Sequence, residues 1–188
     1  MHTPKRYHPV HVTLHWLVAL GVFINIYLGI FVFPQRGLSG FVLGLPMQTF
    51  HMAVGLTILV LLSIRLVLRY TIKRPADATS GYKFIDVLAK VVHYGLYLSV
   101  LGVSVVGLVH SLQTQSFQTA FLGAQPDYNF TSSPQGGSPF GFSISLLILH
   151  RMTAYLVALL VGVHILAAVY HQFIRRDNLL ARMWYGSR

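Results

Sequence analysis

The chain has 188 residues, of which 54% are hydrophobic and only 10% are charged, and it carries a formal net charge of +10. Its mean hydropathy of +0.62 is too high for an ordinary soluble domain and predicts a protein embedded in a bilayer. The absence of cysteine excludes disulfides, iron–sulfur ligation and covalent haem attachment through a C-x-x-C-H motif.

Four apolar stretches are long enough to cross a membrane, since a hydrocarbon core of roughly 30 Å takes about 20 apolar residues in helical form. In chain order the stretches are residues 12–33, 48–69, 88–110 and 145–172. They predict an all-α integral membrane protein, with residues 1–188 forming a single domain built on a four-helix bundle. The outer loops are expected at 34–47 and 111–144, and residues 172–186 are expected to continue as an amphipathic helix with Trp184 and Tyr185 at the interface.

The basic residues are distributed asymmetrically. Of the 14 lysines and arginines, only Arg36 and Arg151 fall on the side of the outer loops, and the others flank the opposite ends of the stretches. By the positive-inside rule, both termini are therefore predicted to be cytoplasmic. Basic flanks of this kind suit anionic lipid head groups, so membrane lipid is the expected partner and nucleic acid is not.

Histidines recur in these apolar stretches at related spacings. His150 and His164 are fourteen residues apart, which is nearly four helical turns and places them on one face about 21 Å apart. In the second stretch His51 and Arg65 repeat that spacing. Because both stretches run in the same direction, His51 is expected level with His150 near the outer surface, and Arg65 level with His164 near the inner surface.

Each level then gathers imidazoles from different helices. The outer pair is His51 with His150, whereas the inner partner of His164 is either His15 or His93 by depth alone. Imidazoles that face each other across a bundle suit a haem iron held axially from both sides, which favours electron transfer over oxygen binding. Zinc is disfavoured because neither level offers three or four ligands that include a carboxylate or a thiolate.

Further residues fit a haem site. Haem propionates need cationic partners, which Arg65 could supply to the inner haem and Arg151 to the outer one. Gly55, one turn after His51, removes a side chain where a macrocycle approaches the backbone.

Two other histidines offer alternatives. A pairing of His171 with His11, closer to the inner surface, is a rival for the inner centre, and His110 is expected to be a solvated helix end.

Segments of all four stretches resemble the bacterial cytochrome b561 family. They are LHWLVA (14–19), HMAVGLTILVLLSIRLVLR (51–69), HYGLYLSVLGVSVVGLV (93–109) and VHILAAVYHQFIRRDNLLARM (163–183). The resemblance implies a dihaem protein of the bacterial inner membrane with two b haems and ubiquinone as a redox partner.

On matching positions, the resemblance makes His15 and His164 the inner haem ligands, and His51 and His150 the outer ones. It also implies that His93 contacts a propionate or a quinone rather than iron. The role of His171 is left open.

The expected function is electron transfer across the membrane between an outer reductant and the ubiquinone pool. Superoxide is a candidate reductant because Arg36 and Arg151 could focus small anions in an outer region with one acid, Asp127. The alternatives are a haem-b membrane anchor subunit that relays electrons from a partner dehydrogenase or hydrogenase, and a haem-free membrane transporter. The transporter is disfavoured because the stretches carry no acidic residue and no paired broken helices.

Overall fold

The fold was analysed in a computed structural model, which describes residues 6–36, 40–73, 75–76, 81–114, 116–122, 145–177 and 179–185. It contains four helices long and apolar enough to cross a membrane, and they confirm the predicted all-α fold class. These spans are Pro9–Gln35, Met47–Thr71, Lys83–Gln113 and Leu146–Arg175. Most of the predicted outer loop 111–144 lies outside the described residues.

The first span begins at Pro9 and is not a uniform helix. Helix α1 covers Pro9–Ile26, and the His8 side chain accepts the Val10 N–H at its start, where a proline suits the first position. The chain continues as a π-helical stretch, Tyr27–Val32, and a short helix α2, Phe33–Arg36. The span therefore extends beyond the predicted range 12–33 at both ends.

A small hairpin lies in the predicted first outer loop. Strands β1 (Phe41–Val42) and β2 (Leu45–Pro46) pair antiparallel through Leu43 and Gly44, both of which have positive φ angles. Two such residues in succession form the tight turn that matches the twist of paired strands. The hairpin leads directly into α3.

The other helices follow in chain order. Helix α3 covers Met47–Thr71, α4 covers Lys83–Gln113, and the short α5 covers Ser116–Leu122. Helix α6, Leu146–Val169, continues as a second π-helical stretch, Tyr170–Arg175, and α7 covers Leu179–Arg182. Arg176 adopts a left-handed conformation with φ 58°, so the long helix ends there and does not continue to residue 186 as expected.

The helices pack as two antiparallel pairs, α1 with α3 and α4 with α6, joined through α3 and α4. A shared core contains the following buried residues: Val18, Val22, Ile58, Leu62, Val100 and Val157. Gly21 allows α1 and α3 to approach closely, since a Cβ there would lie 2.9 Å from Ile58 Cγ1. Most other large apolar side chains are exposed on the outside of the bundle, as a lipid-facing surface requires.

Residues 6–16 and 182–185 meet at one end of the bundle, here called the terminal end. The opposite end, near α2, the hairpin and α5, is called the loop end. The Tyr7 N–H donates to the Arg182 carbonyl at 3.2 Å, and Trp16 Nε1 donates to the Met183 carbonyl at 3.0 Å. The Trp16 and Trp184 rings meet edge to face, with centroids 6.0 Å apart. These contacts between residues 6–16 and 182–185 form a terminal clasp.

Candidate haem sites

At the loop end, His51 of α3 faces His150 of α6. Their ring centroids are 6.1 Å apart and the ring planes are inclined by 76°. Both side chains are partly buried within the bundle. The structure therefore brings together the two histidines that sequence spacing paired at this level.

The surroundings of His51 come from the first span. The Phe33 ring lies edge-on to the His51 ring at 5.3 Å, and a Cβ on Gly29 would lie 3.9 Å from its Cε1. The Asn25 amide donates to the backbone carbonyl of His51 at 3.3 Å. The buried Nδ1 of His51 has no hydrogen-bond partner among the described residues, so one polar atom of this site is unsatisfied by the protein.

His150 is held tightly against α4. Its Nδ1 donates to the Val103 carbonyl at 3.0 Å, which leaves Nε2 with a free lone pair. A Cβ on Gly107 would lie 2.9 Å from Cε1 and 3.1 Å from Nδ1 of this ring, so only glycine fits there without displacing the imidazole.

At the terminal end, three histidines come together. The His15 and His164 ring centroids are 6.3 Å apart with planes inclined by 76°, and those of His93 and His164 are 5.1 Å apart. His93 Nδ1 contacts the Ala89 carbonyl at 2.6 Å, and the His93 side chain is exposed. By ring distance, both His15 and His93 are therefore partners of His164, the same two residues that the sequence offered by depth.

A partly buried cation lies beside this cluster. Arg65 donates to His15 Nδ1 at 2.6 Å, and its guanidinium lies 5.9 Å from the Tyr97 ring centroid. Arg69 lies near Tyr97 at 5.5 Å. In the described part of the chain no carboxylate pairs with Arg65, so the local charge is positive and suits an anionic ligand group.

The two histidine pairs fit a porphyrin iron. Metal–imidazole bonds are about 2 Å long, so two rings that bind one iron from opposite sides have centroids about 6 Å apart. The 6.1 and 6.3 Å separations agree with this value. Among the described residues no group of three metal-binding side chains converges on one point, so each pair is the unit of the site.

The hydrogen bond from Arg65 determines which nitrogen of His15 carries the proton. Because Arg65 donates to Nδ1, the neutral imidazole carries its proton on Nε2. Binding iron through Nε2 requires Arg65 to turn away and the proton to move to Nδ1. A haem propionate is an anion to which Arg65 could turn.

The remaining predicted site residues lie as follows. Arg151 is exposed, directly after His150, and Gly55 faces Asn25, whose Nδ2 would lie 3.4 Å from a Cβ at that position. In this structure Gly55 leaves room for the side-chain amide of Asn25, and its contact with a haem macrocycle stays a prediction.

The two histidines of the rival pairing each contact other residues in the structure. His171 Nδ1 bonds Asp177 Oδ2 at 2.8 Å, and its ring contacts Tyr170, whereas the buried His11 has its ring contact with Tyr7. His110, which the sequence suggested to be a solvated end, is partly buried in α4.

Sequence reasoning did not identify Gly107 and Asn25 as parts of the loop-end site. Gly107 lies in the third apolar stretch, and a small residue in a spanning helix is a general signal for close packing. That signal could have suggested Gly107 as a contact point, although it does not say that the contact is with His150.

Four spanning helices with histidine pairs at both ends of the bundle are the architecture of a membrane-embedded b-type cytochrome. The sequence profile of the family described as prokaryotic cytochrome b561 matches residues 6–186, and the chain belongs to that family. It is accordingly a haem-binding electron-transfer protein and a multi-pass protein of the bacterial inner membrane.

The chain is similar to several curated proteins along nearly its whole length. It is 27% identical to "Probable superoxide oxidase CybB" of Yersinia pestis over 185 residues, covering 95% of this chain and 96% of that relative. It is 25% identical to "Cytochrome b561 homolog 2" of Escherichia coli over 181 residues, covering 96% and 92% of the two chains. For "Cytochrome b561 homolog 1" of E. coli the identity is 26% over 183 residues, covering 95% and 97%.

Proposed function

We propose that the protein is a dihaem cytochrome that transfers electrons across the inner membrane from superoxide on the outer side to the ubiquinone pool. The observation that carries this proposal is the presence of two facing histidine pairs, one at each end of the bundle. Their α6 members are fourteen residues apart, or about 21 Å along the helix, so two centres together extend over much of the hydrocarbon core.

In this proposal His51 and His150 hold one haem, and His15 and His164 hold the other. When bound, the haems would supply one-electron oxidation and reduction. His150 is oriented by its bond to Val103, so its Nε2 is available as a ligand. Arg65 holds the propionates at the terminal end and raises the local positive potential.

Superoxide is the reductant that the loop end favours by charge. Arg151 is exposed beside His150, and a small anion is attracted to a basic rim next to a redox site. One full-length relative is named a probable superoxide oxidase, which supports the same substrate for this chain. Asp127, which the sequence placed in this region, lies outside the described residues.

The proposal is tested by haem quantification and redox-difference spectra of the purified protein and of variants with one histidine replaced by alanine: His15, His51, His150 and His164. We expect two haems per wild-type chain and loss of one centre in each variant. Superoxide should reduce the wild-type haems rapidly, and a ubiquinone analogue should reoxidise them. Arg151→Gln should slow the reduction step by superoxide and leave reoxidation unchanged.

The controls separate the competing assignments. Replacing His171 should leave both haems in place. Full haem content in His164→Ala together with loss in His171→Ala would reverse the terminal-end assignment. Haems that superoxide does not reduce would exclude superoxide as donor, and a dehydrogenase or hydrogenase in stoichiometric complex with the chain would identify it as an anchor subunit. Colourless wild-type protein would refute the haem proposal itself.

A further inference from the structure

The hairpin at the loop end has an apolar, exposed tip. Leu43 is 88% exposed and Phe41 is 75% exposed, and Leu45 beside them is exposed as well. Residues 37–50 contain no Asp, Glu, Lys or Arg, so the chain around the tip carries no charge. Contact of such a tip with water is unfavourable, and a contiguous exposed apolar patch is typical of a surface that contacts a partner or a membrane.

The backbone of Leu43 adds a second observation. Its φ angle is 52°, and that of Gly44 is 78°. An L-residue with a positive φ is strained because its Cβ crowds a carbonyl oxygen, and a two-residue turn of this kind normally takes Asn, Asp or Gly. Leucine at this position therefore suits neither the turn nor contact with water. A contact between its side chain and lipid accounts for its presence.

The hairpin is fixed against the start of α3. Val42 pairs with Leu45, and the Met47 N–H donates to the Gly40 carbonyl at 2.9 Å. A Cβ on Gly40 would lie 3.2 Å from Met47 Cε, and Met47 is buried. The fold therefore determines where the tip lies relative to the bundle.

The apolar outside of the bundle also extends to the loop end. On the first span the exposed rings of Tyr27 and Phe31 stack, with centroids 6.3 Å apart, shortly before that span ends. Aromatic side chains at the end of a spanning helix are typical of the membrane–water interface. On α5, which packs against α3 and has no charged residue, Leu122 is exposed. The bilayer is thus the apolar phase that already adjoins this end of the molecule.

The backbone of the hairpin limits how deeply the tip can enter. Each strand pairs with the other along one edge only, and the second edge of each leaves backbone groups that need water or lipid head groups as partners. The interfacial layer of a bilayer offers such partners beside apolar chains. It therefore suits this hairpin better than the hydrocarbon core.

We propose that the hairpin, residues 41–46, inserts its tip into the interfacial layer of the bilayer at the loop end, with Leu43 and Phe41 in contact with lipid. The hairpin then attaches the start of α3 to the membrane surface, four residues before His51. This contact does not depend on which molecule donates electrons to the protein.

The test uses the absence of cysteine, because a single introduced cysteine then marks one position. Leu43→Cys and Phe41→Cys are prepared as the full haem-loaded chain in phosphatidylcholine nanodiscs, coupled to benzophenone maleimide and irradiated. Mass spectrometry should find a phospholipid adduct at both positions. Leu159→Cys, exposed on α6, is the lipid-facing reference, and Gln113→Cys, exposed at the loop end of α4, is the aqueous reference and should give little adduct.

A second measurement reports contact with water. A charged, water-soluble maleimide should modify Leu43→Cys about tenfold more slowly than Gln113→Cys, because apolar surroundings disfavour the reactive thiolate. If Leu43→Cys does not bind haem like wild type, Phe41→Cys gives the same readout.

A substitution at the tip tests the side chain itself. In the Phe41→Cys protein, Leu43→Asn suits the turn but removes the apolar contact, so the yield of lipid adduct should fall. Leu43→Met keeps an apolar side chain and is the matched control, which should retain the adduct. Equal adduct yields in these two proteins would contradict the role of Leu43.

The crosslinked products distinguish the other occupants of this surface. A covalent dimer would show that a second copy of the chain covers the tip, and a crosslink to residues 123–144 would show that the chain covers its own hairpin. Either product in place of the lipid adduct would overturn the proposal. Modification of Leu43→Cys as fast as that of Gln113→Cys, without lipid adduct, would show that the tip lies in water and would overturn it too.

Discussion

Gly107 offers a sharp test of the loop-end site. A Cβ at this position would lie 2.9 Å from His150 Cε1, a separation at which one of the two groups has to move. The ring is also fixed by its bond to Val103, so it cannot move without weakening that bond. We predict that Gly107→Ala displaces His150 and weakens haem binding at the loop end.

The magnitude follows from two opposing effects. Alanine in place of glycine inside a helix gains about 0.8–1 kcal/mol, and overpacking a tight contact costs about 1–3 kcal/mol. Gly102, on the same helix α4, is a matched control because a Cβ there would meet nothing within 4 Å. The two variants should therefore differ by about 1–3 kcal/mol, which is about 5-fold to 150-fold in haem affinity if the strain acts on the ligand.

The assay is haem titration of the apoprotein, followed by redox-difference spectroscopy of the purified holoprotein. Gly107→Ala should lose or shift the signal of one centre and retain the other, whereas Gly102→Ala should retain both and unfold at a slightly higher temperature. Full haem content with both signals unchanged in Gly107→Ala would refute the claim that His150 needs its present position against α4. Equal losses in both variants would indicate a general effect on the helix.

Three further predictions concern the terminal end. Arg65→Gln should lower the midpoint potential of the haem beside His15 by about 40–90 mV, equivalent to about 1–2 kcal/mol of lost charge stabilisation. Arg65→Lys keeps the positive charge and should retain most of the wild-type potential. Potentiometric titration that gives identical potentials for wild type and both variants would contradict a contact between Arg65 and a propionate. His93→Ala should keep two haems, and loss of one in pigment analysis would make this histidine, rather than His15, the iron ligand. The hydrogen bond from His171 holds the pKa of Asp177 below its usual 3.8, so the bond stabilises the fold above that pH and its contribution is lost as pH falls through the lowered pKa. The protection factors of the amides in residues 170–185, which correct for the intrinsic pH dependence of exchange, should therefore fall in acid for wild type. Asp177→Asn should show lower protection factors already at pH 7, with a weaker acid dependence.

The four spans were predictable because the bilayer imposes a simple condition on the sequence. A crossing segment needs about 20 apolar residues and must satisfy its backbone internally, so hydropathy alone identifies it. The ends of the spans were less predictable. The first and fourth spans both continue into π-helical stretches, Tyr27–Val32 and Tyr170–Arg175. No residue pattern in these segments predicts the change from α-helix to π-helix.

The loop-end pair was predictable because His51 and His150 lie on helices that run in the same direction. Each is followed fourteen residues later by a second polar residue, Arg65 or His164. This equal spacing predicts that the two histidines lie at the same depth in the membrane. The terminal-end partner of His164 was not predictable in this way, since His15 and His93 lie on the two oppositely directed helices. The structure places both near His164.

The terminal clasp could not be read from the sequence. It depends on the left-handed Arg176, which turns the chain back toward α1, and non-glycine residues rarely adopt that conformation. A continuous amphipathic helix was expected instead, with Trp184 at the interface. In the structure Trp184 meets Trp16, so a residue expected to contact lipid lies against the first helix.

The clasp joins the segment at the start of the first span to the segment after the fourth span. Its contacts link residues separated by 167 to 179 positions in the chain, so none of them can form during translation until the fourth span has left the ribosome. The His15–His164 pair has the same dependence, because its members lie on the first and fourth spans. The terminal end of the bundle can thus close only after the fourth span and the segment behind it have been synthesised, and a chain truncated before residue 182 would insert its spans without closing this end.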